Sequence, residues 1–319
     1  MQESSTVYNR FSEYLKKRYS ARVYKLPVNL PVSCPNRDES PDGRGCIFCG
    51  GEGAGFESLR ASLPVAEQLR RNAEYMGGNY KADKFIAYFQ NFSNTYLPLD
   101  SFGKYMREAC LDGIAAIYIS TRPDCVDEAR LGFLRELKAE CGVDILLELG
   151  LQSVNGRTLR RLARGHGLAE FIDAVLRIRR FGLESCAHMI TDLPMDETED
   201  VVEGARVLSA LGVEQVKCHS LYILKDTVLG ELYERGEIEP LPKDEFIRRT
   251  IAFLENLSPE IVVQRLIGRA PEERSLFCSW NTSWRKIHDE IELKMRREGN
   301  YQGRLFNYLN GEGGLKKFL

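Results

Sequence analysis

Short runs rich in β-branched and aromatic residues alternate along this chain with longer segments whose apolar positions recur at helical spacing. The short runs predict strands at 22–27, 84–90, 115–120, 144–151, 184–190 and 215–222. Helical patterns intervene at 9–18, 64–76, 101–112, 126–140, 156–163, 168–181 and 199–211. Alternation of this kind is the signature of βα units that build a parallel sheet. Six strands joined by crossovers predict an α/β fold, a partial (βα)6 TIM-like barrel with a C-terminal α/β extension. A doubly wound open sheet is the runner-up, because alternation alone does not separate a curled sheet from a flat one.

After Tyr222 the rhythm changes. Pro240 and Pro242 precede a helix at 243–256, a strand-like run spans 261–266, and a Trp-containing helix at 282–298 leads to a Gly-rich tail ending at 315–319. With no flexible linker in between, the division expected is a barrel over 1–225 and an extension packed on it over 226–319. No internal repeat of twenty to fifty residues is visible.

The 43% hydrophobic and 28% charged composition of the 319 residues is that of a globular chain with a sizeable core. No apolar run reaches the roughly eighteen residues that a membrane helix needs. Met1-Gln2-Glu3-Ser4-Ser5 lacks the basic and apolar regions of a signal peptide, so a cytoplasmic protein is expected. A net charge of −2 does not announce a nucleic-acid binder, but its distribution is uneven. Arg10, Lys16, Lys17, Arg18, Arg22 and Lys25 cluster near the N-terminus. A second basic cluster holds Arg157, Arg160, Arg161, Arg164, Arg177, Arg179 and Arg180. Both are compatible with a polyanion such as RNA and equally with solvated helix faces.

Three of the nine cysteines fall together, in Cys34-Pro35-Asn36-Arg37-Asp38 and Gly45-Cys46-Ile47-Phe48-Cys49-Gly50, a Cys-x11-Cys-x2-Cys array. A closed zinc site wants four ligands, and no fourth Cys or His lies within sixty residues of Cys49. Thiolates suit iron–sulfur chemistry. A [4Fe–4S] cluster on Cys34, Cys46 and Cys49 leaves one iron open, as chelation and reductive cleavage of S-adenosylmethionine (SAM) require. The other six cysteines are scattered and most read as small buried hydrophobes, with Cys125 beside Arg122 set apart.

The cluster loop follows the first strand and so belongs at the C-terminal mouth of a barrel, where active sites assemble. The next strand ends in Gln90-Asn91, whose amides can hold the ammonium end of SAM or line a polar loop over the core. In Thr121-Arg122-Pro123-Asp124, Pro123 keeps Arg122 extended toward the mouth, for a cofactor carboxylate or a substrate anion. Asp124 either pairs with Arg122 or caps a helix. Glu148, inside an apolar strand, shares a face with Gly150 and Gln152; Glu148 and Gln152 then reach adenosine hydroxyls, or Glu148 belongs to a buried Arg–Glu pair. His188, Lys217 and His219 lie near the ends of neighbouring strands, as substrate and proton groups or as satisfied core residues. Arg164 and His166 flank a glycine that stops a helix and can simply cap it. Arg265-Leu266-Ile267-Gly268-Arg269-Ala270 formally fits the pyrophosphate loop of acetyltransferases, but too little chain remains for that domain, and the match is rejected.

Taken with Ala-Tyr-Phe-Gln (87–90), Asn-Thr-Tyr (94–96), Thr-Arg-Pro-Asp-Cys (121–125), Leu-Glu-Leu-Gly-Leu-Gln (147–152), Lys217-Cys218-His219, Gln264-Arg265-Leu266 and Tyr301-Gln302-Gly303, the array resembles the YhcC/YtqA-type radical SAM proteins, relatives of the radical SAM domain of the Elongator catalytic subunit. The likeness spans nearly the whole chain. It implies a radical SAM barrel with the cluster on the three cysteines and SAM on the open iron. It places Gln152 on the ribose side, and Arg122 or Arg164 toward the carboxylate. It implies a radical SAM enzyme that forms a 5′-deoxyadenosyl radical, abstracts hydrogen from a substrate and draws electrons from a flavodoxin- or ferredoxin-like donor, with a tRNA wobble-uridine side chain as substrate class. Lys217, His219 and Arg265 are then candidates to bind an anionic substrate or steer a product radical. A small-metabolite substrate, or a cluster protein that never turns SAM over, are the alternatives. One departure stands out: Asp192-Leu193-Pro194-Met195-Asp196-Glu197 replaces the Gly-Leu-Pro-Gly-Glu usual in that family.

Overall fold

A computed structural model describes residues 6–40, 42–51, 53, 55, 58–80 and 82–309. Pro41 of the cluster loop, the first five residues and the tail at 315–319 lie outside the described residues. Seven parallel strands form the main sheet: β1 (Val23–Val28), β2 (Lys84–Phe89), β3 (Ile114–Thr121), β4 (Asp144–Gln152), β5 (Glu184–Ile190), β6 (Gln215–His219) and β8 (Val262–Arg265). A two-stranded antiparallel ribbon pairs β7 (Ile223–Leu224) with β9 (Ser275–Phe277).

The spatial order β1-β2-β3-β4-β5-β6-β8 follows the sequence without reversal. A doubly wound sheet reverses its order to place helices on both faces; here the sheet curls into a half-barrel. Residues of one parity, including Leu26, Val28, Ala87, Phe89, Ile117, Ile119, Leu147 and Leu149, pack under the crossover helices. The other parity lines the interior, where Ile86, Tyr88, Ala116, Tyr118, Leu146 and Cys186 meet Phe11, Tyr14, Leu15 and Tyr19. Those last residues lie on or at the end of the N-terminal helix Phe11–Tyr19, which fills the lower interior.

β1 and β8 are the open edges. Pro27 is tolerated in β1 because an edge strand can spare one donor. The chain before the helix bonds β8, Val263 N donating to Asn9 O at 2.9 Å. Inside, Lys25 of β1 donates to Gln264 Oε1 of β8 at 2.7 Å, so the seam is bridged by a side-chain bond. The strand-like run after the prolines is thus a seventh sheet strand. β6 ends at His219, earlier than its apolar pattern predicts, because Leu221 N turns away to donate to Asp192 Oδ1 at 2.7 Å. A helix at Val228–Glu234 was not legible in the pattern. Among the described residues no helix is long and apolar enough to cross a membrane.

Candidate active site

The loop after β1 brings the cysteines to the C-terminal mouth. Cys34 precedes the short helix Pro35–Asp38, and Cys49 N donates to Cys46 O at 3.0 Å in a tight turn. Gly45 has φ +73°, and a Cβ there would sit 2.9 Å from Arg37 Cγ, so glycine is needed. Ile47 between the cysteines is held at both ends: its N donates to Leu162 O at 3.1 Å and its O accepts from Leu229 N at 2.8 Å. Each sulfur meets a donor. Ser93 Oγ lies 3.5 Å from Cys34 Sγ, Asn36 Nδ2 and Arg164 Nη1 lie 3.2 and 3.1 Å from Cys46 Sγ, and Arg37 Nη2 lies 3.5 Å from Cys49 Sγ. Three thiols so supplied, two by guanidiniums, suit an anionic iron–sulfur group, since donors to sulfur stabilise thiolate charge.

The cysteines open onto a cavity of about 160 Å³. Gln90, Arg122, Glu148, Gln152, Arg164, His188, Lys217, His219 and Arg265 line it too. Of the residues expected from sequence to bind cofactor or substrate, Asn91 alone lies outside. It is buried, its Nδ2 donates to Asn29 Oδ1 at 2.9 Å, and a Cβ on Gly55 would collide with its amide. Asn91 packs the cluster loop on β2 and does not face the cavity.

Tyr88, Gln90, Lys217, His219 and Arg265 also line an adjoining outer cavity of about 560 Å³. Below it lies a buried ion network. Glu148 Oε1 accepts from Lys25 Nζ at 2.7 Å, and Oε2 accepts from Lys217 Nζ at 2.9 Å and lies 2.8 Å from His188 Nε2. Lys217 also donates to Tyr88 OH at 2.6 Å. Burial works to raise the Glu148 carboxyl, and Lys217, Lys25 and His188 overcome it, holding the group well below the usual carboxylate range. Burial pushes both lysines down from their ordinary values, against the pull of Glu148. Burial and then Lys217 push His188 down to about 4, and burial and then Arg265 hold His219 well below its ordinary value. A neutral His219 fits its geometry, since Arg265 Nη2 donates to its Nδ1 at 2.7 Å. Among the described residues lining either cavity, Glu148 is the single carboxylate. With Lys25, Lys217 and Arg265 nearby, the floor carries surplus positive charge. Its partners are lysines, where the sequence suggested an arginine.

The arginines near the cysteines are occupied. Arg122 grips Asp124 through Nε and Nη2 at 2.9 and 2.6 Å and donates from Nη1 to Arg164 O at 2.9 Å. Arg164 donates to Gly150 O at 2.7 Å and touches His166 Nε2 at 2.8 Å. A Cβ on Gly150 would lie 2.9 Å from Arg164 Nη2 and 3.0 Å from Gln152 Nε2, so the glycine leaves room for both. Gln152 has φ +76° at an irregularity between β4 and β5, a conformation held at the cavity wall. Neither Asp192 nor Met195 lines either of these cavities. Asp192 is fully buried beside the end of β6, where burial raises its carboxyl to about 7. The departure from the family pattern therefore sits behind the wall.

Several members of the two basic clusters are paired or drawn inside. Lys25 is inside the barrel, Arg18 pairs with Asp144 and Glu184, Arg10 with Glu292, and Arg164 faces Cys46. Arg177 and Arg180 pair with Asp173 and Glu128. Sequence reading gave no individual role to Asn36, Arg37, Ser93 or Tyr88. Asn36 and Arg37 carried a signal, being polar residues set between cluster cysteines; Tyr88 looked like an ordinary strand aromatic.

Two family profiles match the chain, the Radical SAM superfamily over residues 34–222 and the Radical_SAM C-terminal domain over residues 213–297. The uncharacterized protein YtqA of Bacillus subtilis is 30% identical over 309 residues, covering 97% of this chain and 95% of its own. The tRNA uridine(34) acetyltransferase of Methanocaldococcus infernus is 22% identical over 286 residues, 76% of this chain and 51% of that protein. Among solved structures, the Methanocaldococcus infernus Elp3 lacking its N-terminus superposes with a TM-score of 0.67 at 16% identity, covering 88% of this chain and 64% of that one. This chain thus spans about half to two thirds of the length of those last two.

Proposed function

The chain belongs to the radical SAM superfamily, and on that premise we propose that it is an enzyme acting on a tRNA wobble-uridine side chain, with a [4Fe–4S] cluster on Cys34, Cys46 and Cys49. The supporting observation is the cysteine end itself, three thiols each within reach of a donor and opening on one cavity with Gln152, Glu148 and Lys217. Bound there, cluster and SAM supply reductive carbon–sulfur cleavage and hydrogen abstraction from substrate.

The chain's own residues do the rest. Arg37 and Arg164 place donors on sulfur and fix the loop. Gln152 offers an amide to the ribose, and the occupied Arg122 shapes the wall. The surplus charge of Lys217 and Arg265 holds an anionic substrate group in the outer cavity. Neutral His219, its Nδ1 occupied by Arg265, offers an N–H donor there. A flavodoxin- or ferredoxin-like protein serves as the electron donor. The tRNA substrate is supported by likeness to the uridine(34) acetyltransferase and by an outer cavity large enough for a nucleoside.

Anaerobic cluster reconstitution followed by SAM and dithionite tests this reading. Formation of 5′-deoxyadenosine, lost in Cys34→Ala, Cys46→Ala and Cys49→Ala, is expected. A fully loaded protein that makes none, with or without tRNA, overturns it. Comparing tRNA nucleosides before and after turnover then tests the substrate.

A further inference from the structure

The chain has two tryptophans, and they play opposite parts. Trp280 is an anchor: its Nε1 donates to Leu241 O at 2.7 Å, and its ring lies 5.1 Å from Phe246 and 5.6 Å from Phe277. It sits in a turn of three consecutive non-glycine residues in the left-handed region, Ser279, Trp280 and Asn281, at φ 50°, 48° and 53°. L residues rarely adopt that conformation singly, and such strain persists where surrounding structure enforces it, often beside a working surface.

Just beyond that turn the helix Trp284–Glu298 begins, and Trp284 is 37% exposed. Two guanidiniums flank its ring, Arg269 at 5.9 Å and Arg285 at 5.4 Å from the centroid. Arg269 also lines the outer cavity, so this aromatic–cation group lies at that cavity's rim. The first turn of the helix carries no acidic residue, and Arg285 and Lys286 stand exposed at its positive end. Cations there are unfavourable in the free protein, because a helix N-terminus favours anions. An exposed indole, flanking guanidiniums and surplus positive charge are what binds unpaired nucleotides: bases stack on the ring and phosphates meet the cations.

We propose that Trp284, with Arg269 and Arg285, is a stacking platform for an unpaired nucleobase of the RNA whose reactive nucleotide enters the outer cavity. This rests on the RNA-substrate reading above and adds where and how the flanking loop is held. The strained turn, pinned by Trp280, fixes the platform relative to the cavity rim.

Binding of the full chain to a short RNA hairpin with a single-stranded loop, and to a blunt RNA duplex, is followed by anisotropy and by tryptophan emission. The hairpin is expected to quench emission, and Trp284→Ala to lose the quenching and bind it about tenfold more weakly. Trp284→Phe should restore most of the affinity without the quenching. The Arg269→Ala/Arg285→Ala double variant should lower the salt dependence of binding by roughly one phosphate contact or more. Melting curves show whether each variant is folded; Trp284→Phe and the arginine pair carry the test if Trp284→Ala is not. Hairpin binding unchanged in affinity and quenching by all three variants overturns the platform and leaves the RNA reading standing. Preference for the duplex also overturns it. Failure to bind either RNA, while SAM cleavage persists, overturns platform and RNA reading together.

Discussion

The cysteine end and the barrel floor use the same kinds of residue to different ends. Around the cysteines each guanidinium is held by fixed acceptors: Arg37 donates to Cys49 O and Gly50 O, Arg122 to Asp124 and Arg164 O, and Arg164 to Cys46 Sγ and Gly150 O, though Arg37 Nε and Arg164 Nε are buried with no partner among the described residues. On the floor the cations outnumber the acid. Lys25 and Lys217 share Glu148, and Arg265 donates to the neutral ring of His219. Arginines gripped by carbonyls, a carboxylate and a sulfur are a frame, rigid because each hydrogen bond fixes the next. Cations in excess of their acid are a receptor, since burying like charges together costs stability until an anion arrives.

The largest expected effect follows from removing the one acid of the floor. Glu148→Gln leaves two buried ammonium groups facing each other, and breaking a buried pair in this way costs about 3–5 kcal/mol. A drop of many degrees in melting temperature is expected, recovered in part by adding Lys217→Met. If Glu148→Gln melts like the wild type, the floor is solvated and the contrast with the cysteine end collapses.

Acid should unfold the floor next. His188 has a folded value of about 4 against an ordinary 6.5, so the unfolded chain binds the extra proton between those values. Its contribution is present above about pH 6.5 and lost progressively as pH falls toward 4, roughly 3 kcal/mol in all. His188→Gln should flatten that part of the stability curve measured by denaturant titration.

At the cysteine end the expected losses are of position, not of fold. Arg37→Ala frees two carbonyls and a sulfur from one guanidinium. Loss of such a supporting partner typically lowers metal affinity by about 10–100-fold. Iron retained after chelator challenge should fall accordingly, while the melting temperature of the cluster-free chain moves by only a few degrees.

This contrast also marks what could be read from sequence. Strands buried on both faces are near-continuous apolar runs, so β2 to β5 were legible almost to the residue. The cysteine end was legible because thiol spacing carries chemistry locally. The floor was only half legible. Glu148 and Lys217 were conspicuous in apolar strands, but Lys25 was counted with a surface cluster because its neighbours Arg18 and Arg22 are basic. Only the curl of the sheet, which brings β1 opposite β4 and β6, joins the three. Asn91 failed for the converse reason. Its place at a strand end suggested the cavity, and tertiary packing turned its amide toward Asn29.

The smallest effect sharpens the comparison most, because it concerns strain within the frame. Gln152 sits at φ +76°, where a side chain is disfavoured by about 1–2 kcal/mol, and its amide hangs over Gly150 at the cavity wall. Gln152→Gly should relieve that strain and raise stability by about 1 kcal/mol, whereas Gln152→Ala keeps the strained backbone and should not. Both remove the amide, so both should bind SAM more weakly in equilibrium dialysis of the reconstituted protein. Stability and affinity then move in opposite directions for glycine and affinity alone falls for alanine. If glycine gains no stability, the positive φ is not held against a cost, and Gln152 is an ordinary strand end. If both variants bind SAM like the wild type, the amide belongs to the wall and the frame ends at Arg164.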